Sequence, residues 1–140
     1  MIDLDRVVSD LKEDEGFVSC AYEDHLGFLT IGYGTLIDRR KGGGITQDEA
    51  TMLLRNRLTA ILGRLDKLRP GWRTLKGRAP DAIANMAYQL GADGVHAFSD
   101  MWAALFRGDY KAAAKEALDS KWAKQTPDRA KCMAELIEGA

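Results

Sequence analysis

Between residues 11 and 19 the chain switches from a helical to a strand-like hydrophobic pattern, and that switch constrains its fold more than any other feature. Leu4, Val7, Val8 and Leu11 fall at the i, i+3, i+4, i+7 spacing of an amphipathic helix with one apolar stripe. Gly16 is a natural helix stop. Beyond it, Ser19–Tyr22 and Phe28–Thr35 read as two short strands. The run Asp24-His25-Leu26-Gly27 reads as the turn between them, because Asp bonds local backbone and Gly tolerates tight bends. A helix feeding a hairpin, ahead of a long helical remainder, predicts an α+β protein that is mostly helical.

The remainder supports this. After Gly42–Gly44, a loop by composition, Thr46 and Glu49 form a Thr-x-x-Glu capping box that opens a helix. Its apolar positions include Met52, Leu53, Ile61, Leu62 and Leu65, and Pro70-Gly71 ends it after about Leu68. A helix of this length spans about 30 Å, enough to bridge two lobes. Short helices are predicted over Pro80–Gln89, Ser99–Phe106, Tyr110–Leu118 and Asp128–Glu138, with breaks at Gly91, Gly94, Gly108 and Pro127. Trp72, Trp102 and Trp122 are read as core anchors. With 140 residues the chain is expected to form one domain. The predicted organisation is a hairpin lobe over about 16–45, an inter-lobe helix over about 46–68, and a helical lobe over about 69–140 together with the helix at 1–15.

At 46% hydrophobic and 29% charged, the composition is that of a folded protein and excludes a disordered one. The net charge of −1 hides an asymmetry: residues 1–24 hold eight acids against two bases, and residues 55–78 hold eight bases against one acid. A basic segment suits encounter with an anionic polymer. It also suits solvated helix faces partnered by distant acids, which is the reading adopted. No base-reading motif accompanies it, so no nucleic acid is expected. Cys20 and Cys132 lack metal-ligand spacing, and His25 and His96 stand alone, so neither metal nor cofactor is expected. Whether the two thiols pair is left open. The N-terminal stretch has no apolar run for a signal peptide or membrane span, so synthesis in a cytoplasm without direct membrane insertion is expected.

Glu15, Asp24 and Thr30 carry the chemistry. Two carboxylates suit glycosidic-bond hydrolysis: one acid protonates the leaving oxygen, and the other carboxylate activates a water on the opposite face of the sugar. Glu15 extends the apolar stripe at the negative end of its helix, and both features would help it keep a proton. Asp24, in a solvated turn, should stay ionised as the base. Thr30 opens the strand TIGYGT and can help hold the water. Gly32 and Gly34 would let sheet backbone approach another backbone or a sugar. On spacing alone, the two acids are also consistent with the end of an acidic helix run and an ordinary turn residue.

The wider pattern resembles the phage-type lysozymes, glycoside hydrolase family 24. That family carries a Glu, eight residues, an Asp, five residues and a Thr, matched by Glu15, Asp24 and Thr30 without a gap. Similarity continues through Asp14–Gly16, Tyr22 and Thr30–Gly34, then GGITQDEA at Gly43–Ala50, NMAYQLGADGV at Asn85–Val95 and KWAKQTPDRAK at Lys121–Lys131. The resemblance implies a two-lobed lysozyme-like fold and hydrolysis of bacterial peptidoglycan, with Glu15 as general acid and Asp24, helped by Thr30, handling the water. It also implies that Arg129 pairs with the acid, that Leu36, Tyr88 and Gln89 contact the sugar chain, and that inversion occurs at the anomeric carbon. A monomer released to the wall through a holin is the expected setting. The sequence departs from the family at Thr35, at Arg39–Gly44, and at Met101 and Glu116, where polar uncharged sugar contacts are usual. A lytic transglycosylase and a non-catalytic glycan-binding protein are the rival readings.

Overall fold

A computed structural model describes residues 2–40 and 44–140. The expected loop at Gly42–Gly44 therefore lies, except for Gly44, outside the described residues. The chain divides into two compact units, Met1–Met52 and Leu53–Ala140.

In the first unit, α1 (Leu4–Glu15) begins at Asp3, whose carboxylate accepts the Arg6 N–H at 3.2 Å. It ends at Gly16, where a φ of +70° lets the chain turn while the Gly16 N–H still bonds the Lys12 carbonyl. A three-stranded antiparallel sheet follows in the order β1 (Val18–Glu23), β2 (Leu29–Gly32), β3 (Thr35–Leu36). Tyr22 pairs with Thr30, and Thr30 with Leu36, so Thr30 sits on the central strand. The single second strand expected over Phe28–Thr35 is instead two strands. Gly32 and Gly34 both have left-handed backbones, and the chain folds back at Tyr33 between them. By contacts α1 groups with this sheet, whereas the sequence reading had placed residues 1–15 with the helical lobe.

Helix α2 (Gln47–Leu68) opens as its capping box requires. Thr46 N–H donates to Glu49 Oε2 at 2.9 Å, and Glu49 N–H donates to Thr46 Oγ1 at 3.2 Å. The boundary between the units falls inside it.

The second unit is helical: α3 (Ala79–His96), α4 (Ser99–Arg107), α5 (Tyr110–Leu118), α6 (Lys121–Gln125) and α7 (Pro127–Glu138), with a 3₁₀ turn at Trp72–Thr74. Its core gathers Leu65, Ile83, Met86, Val95, Met101, Trp102, Leu105 and Ile137, all essentially inaccessible to solvent. The three tryptophans are buried as expected, each with its indole N–H satisfied: Trp72 by Asp66, Trp102 by the Val95 carbonyl and Trp122 by Gln89. Two features differ from the sequence reading. Gly91 breaks the helical backbone as expected (φ +77°, ψ 164°), but Gly94, also an expected break, lies within the turn of α3 that resumes to His96. A short α6, capped by the Ser120 hydroxyl on Ala123 N–H, precedes the last helix.

Three members of the basic segment are paired: Arg64 with Asp93, Arg73 with Asp66 and Arg78 with Asp81. Arg69 lies over the Trp102 ring. This favours the reading of solvated faces with acidic partners. Cys20 and Cys132 are both free and exposed. No helix among the described residues is long and apolar enough to cross a membrane.

Candidate active site

The hairpin builds a rigid mount for Asp24. Its Oδ1 accepts the backbone N–H groups of Leu26 and Phe28, each at 2.9 Å, while its own N–H donates to the Phe28 carbonyl at 2.9 Å. The Phe28 bond does most to hold the carboxyl below its ordinary range. Desolvation opposes the shift, and Leu26 and the nearby His25 reinforce it. Asp24 is therefore an ionised, half-exposed carboxylate, as the sequence predicted. Both bonds fall on Oδ1, so Oδ2 carries neither.

Thr30 is 5% exposed, and its hydroxyl donates to the same Phe28 carbonyl at 3.2 Å. Asp24 and Thr30 are thus fastened to one residue from two sides. The hydroxyl's hydrogen is used on that carbonyl, which leaves its oxygen as an acceptor. Phe28 was not singled out by the sequence. Its contribution is made by backbone atoms, which no residue-type pattern reveals.

Glu15 ends α1 in the same unit. The expectation that it continues a buried stripe is not met within this unit: α1 has no buried residue, and Leu4, Val8 and Leu11 are all exposed. A sheet of three short strands has too little surface to cover a helix face. The side chain is placed instead against the β2–β3 turn.

Leu36 is exposed on β3, opposite Thr30 in register, and lines a groove of about 770 Å³ with Ile37, Asp38 and Ile45. Arg40 makes two side-chain bonds to Asp38, and the Arg40 and Gly44 N–H groups add two more. These bonds drive the Asp38 carboxyl far down.

In the second unit, Tyr88 is half-buried beside a cavity of about 480 Å³ that it shares with Leu54, Leu58, Asn85 and Arg129. Arg129 reaches across from α7 to α3, donating to Asn85 Oδ1 at 2.8 Å and to the Asn85 carbonyl at 3.3 Å. Asn85 is a partner that sequence reasoning missed. It lies three positions before Tyr88 on the same helix, which was the available signal. Gln89 Oε1 accepts the Trp122 indole N–H at 2.8 Å, so this expected sugar contact is also part of the scaffold. Met101 is 1% exposed and belongs to the core.

A helix that ends on a carboxylate beside a small antiparallel sheet, together with an all-helical second unit, defines a lysozyme-like α+β protein. The chain matches the family described as Phage lysozyme over residues 12–137, and it belongs to that family. It is 31% identical, over 91% of its length, to the pre-baseplate central spike protein Gp5 of Enterobacteria phage T4. It spans only 26% of that relative. It is 28% identical to the probable T4-type lysozyme 1 of Dictyostelium discoideum, over 91% of each chain.

Proposed function

We propose that the chain is a muramidase that hydrolyses the β-1,4 bond between N-acetylmuramic acid and N-acetylglucosamine in bacterial peptidoglycan. The observation that carries this reading is the joint mounting of Asp24 and Thr30 on Phe28, in the same unit as Glu15 and within a Phage lysozyme family member. A water that donates one hydrogen to Asp24 and the other to Thr30 Oγ1 has its lone pair free for the anomeric carbon. Asp24 takes the proton as the C–O bond forms. Glu15, the last residue of α1, protonates the departing oxygen. Attack from the face opposite the leaving group inverts the anomeric centre, which requires a carboxyl separation of about 6.5–9.5 Å. Leu36, Tyr88 and Gln89 contact the glycan in this scheme, and Arg129 supports Glu15.

The test is digestion of purified peptidoglycan by the wild-type protein and Glu15→Gln in parallel, with product masses read. Reducing-end muropeptides from the wild type alone are expected. Anhydro products would make the enzyme a transglycosylase. Binding without products from a folded protein would make it a glycan-binding module.

The biological setting proposed is host lysis at the end of phage growth, with access to the wall through a holin. The likeness to a central spike protein favours a second setting, a wall-cutting unit carried by a virion. Recovery of the protein in purified particles rather than in the free lysate would establish the second.

A further inference from the structure

The β2–β3 turn holds a glycine whose missing side chain bears directly on Glu15. A methyl group on Gly34 would lie 2.6 Å from Glu15 Oε2 and 3.0 Å from its carboxyl carbon, inside van der Waals contact. We infer that Gly34 is a positioning residue for Glu15, its bare Cα providing the space in which the carboxylate rests. This rests on the reading of Glu15 as the proton donor.

Three observations support it. Gly34 has a φ of +72°, but so do Gly16 (+70°) and Gly32 (+69°) within a few degrees, and a methyl on either of those meets nothing within 4 Å. Left-handed backbone is thus shared by all three, whereas the approach to the carboxylate belongs to Gly34. Among the described residues, what approaches Gly34 is a side chain rather than another backbone, and a methyl on Gly32 meets nothing within 4 Å. Second, α1 and the residue after its cap also meet the turn at Tyr33. Lys12 Nζ lies 5.4 Å from the Tyr33 ring centroid, and Phe17 stacks at a tilt on Tyr33 with centroids 5.5 Å apart. The helix end and the turn therefore meet through Tyr33 and Gly34 together. Third, the contacting atoms are the free end of a flexible side chain. An added methyl would be relieved by swinging Glu15 aside, which moves the acid without unfolding the unit. A displacement of about 1 Å at a catalytic group costs on the order of a hundredfold in rate.

The experiment compares Gly34→Ala, Gly32→Ala and Glu15→Gln with the wild type. Steady-state kinetics use soluble, uncross-linked peptidoglycan chains, and thermal melts verify folding. Both alanines introduce the same backbone strain, so similar melting temperatures are expected. Gly34→Ala should lose about a hundredfold in kcat with KM unchanged, while Gly32→Ala keeps wild-type kcat. If the two alanine variants show equal kcat while Glu15→Gln is inactive, the acid assignment stands and the positioning role is overturned. An active Glu15→Gln overturns the acid assignment and the inference with it. Should Gly34→Ala fail to fold, the double variant with Glu15→Asp decides. Its carboxylate is one methylene shorter, so recovered folding supports the contact, and continued failure shows backbone strain alone and overturns it.

Discussion

The backbone of Phe28 grips Asp24 from both sides: its N–H donates to the Asp24 carboxylate at 2.9 Å, and its carbonyl accepts the Asp24 N–H at 2.9 Å. The turn is thereby tied to the ionised form of the acid. The folded carboxyl is more acidic than its ordinary value of 3.8, so the stabilisation is complete above that value and is lost as the pH falls through the lower folded value. Exchange protection of the Leu26 and Phe28 amides, relative to their intrinsic rates, should hold down to 3.8 and fall below it. In Asp24→Asn, protection should be independent of pH over the same interval, with turnover abolished in a folded protein.

Thr30 offers a test of the hydroxyl alone. Thr30→Val keeps the shape and removes one hydrogen bond to a carbonyl that Asp24 N–H still satisfies. A stability loss of only about 1 kcal/mol is expected. Activity should fall by about ten- to a hundredfold, the scale of one lost polar contact to a reacting water. Thr30→Ser should recover most of it. Chemical denaturation and rate assays on the same samples separate the two effects.

Gln89 is expected to serve both glycan and scaffold. Trp122 is 3% exposed, and its indole N–H depends on Gln89 Oε1. Gln89→Leu leaves that donor unpaired and should cost about 1–3 kcal/mol. Gln89→Glu keeps an acceptor and should melt close to wild type. A sugar-binding role then shows as a raised KM in Gln89→Glu without a matching loss of stability.

The capping box of α2 is local and exposed, so its contribution should be modest and clean. Thr46→Ala removes the acceptor for Glu49 N–H and should lower stability by about 1 kcal/mol. Thr46→Ser should restore it. A cost near zero in equilibrium denaturation would show that the start of α2 does not contribute to the cooperative transition.

How much of this molecule can be read from its sequence follows the range of the interactions involved. The Gly16 stop, the Asp24–Gly27 turn and the Thr46–Glu49 box each depend on residues within a few positions of one another. Side-chain chemistry and backbone sterics settle such features locally, so they stand where the sequence placed them. The reading faltered where glycine was ambiguous. Gly32 and Gly34 split an expected strand, whereas Gly94, an expected break, stayed within a helix, because a glycine permits a bend without dictating how neighbours use it.

The sequence by itself determined the leading helix, the hairpin and the helical remainder, the family and the residue types of three candidate chemical groups, but not β3 or α6, since the former rest on residue type and spacing. Only tertiary structure decided that Met101 is core, that Arg129 is held by Asn85 from 44 residues away, that Gln89 supports Trp122, and that Gly34 lies under the Glu15 carboxylate. Each of these pairs elements whose separation along the chain carries no information about their contact. Their geometry is fixed by how faces pack within each unit, and that is settled only when that unit's own elements have come together.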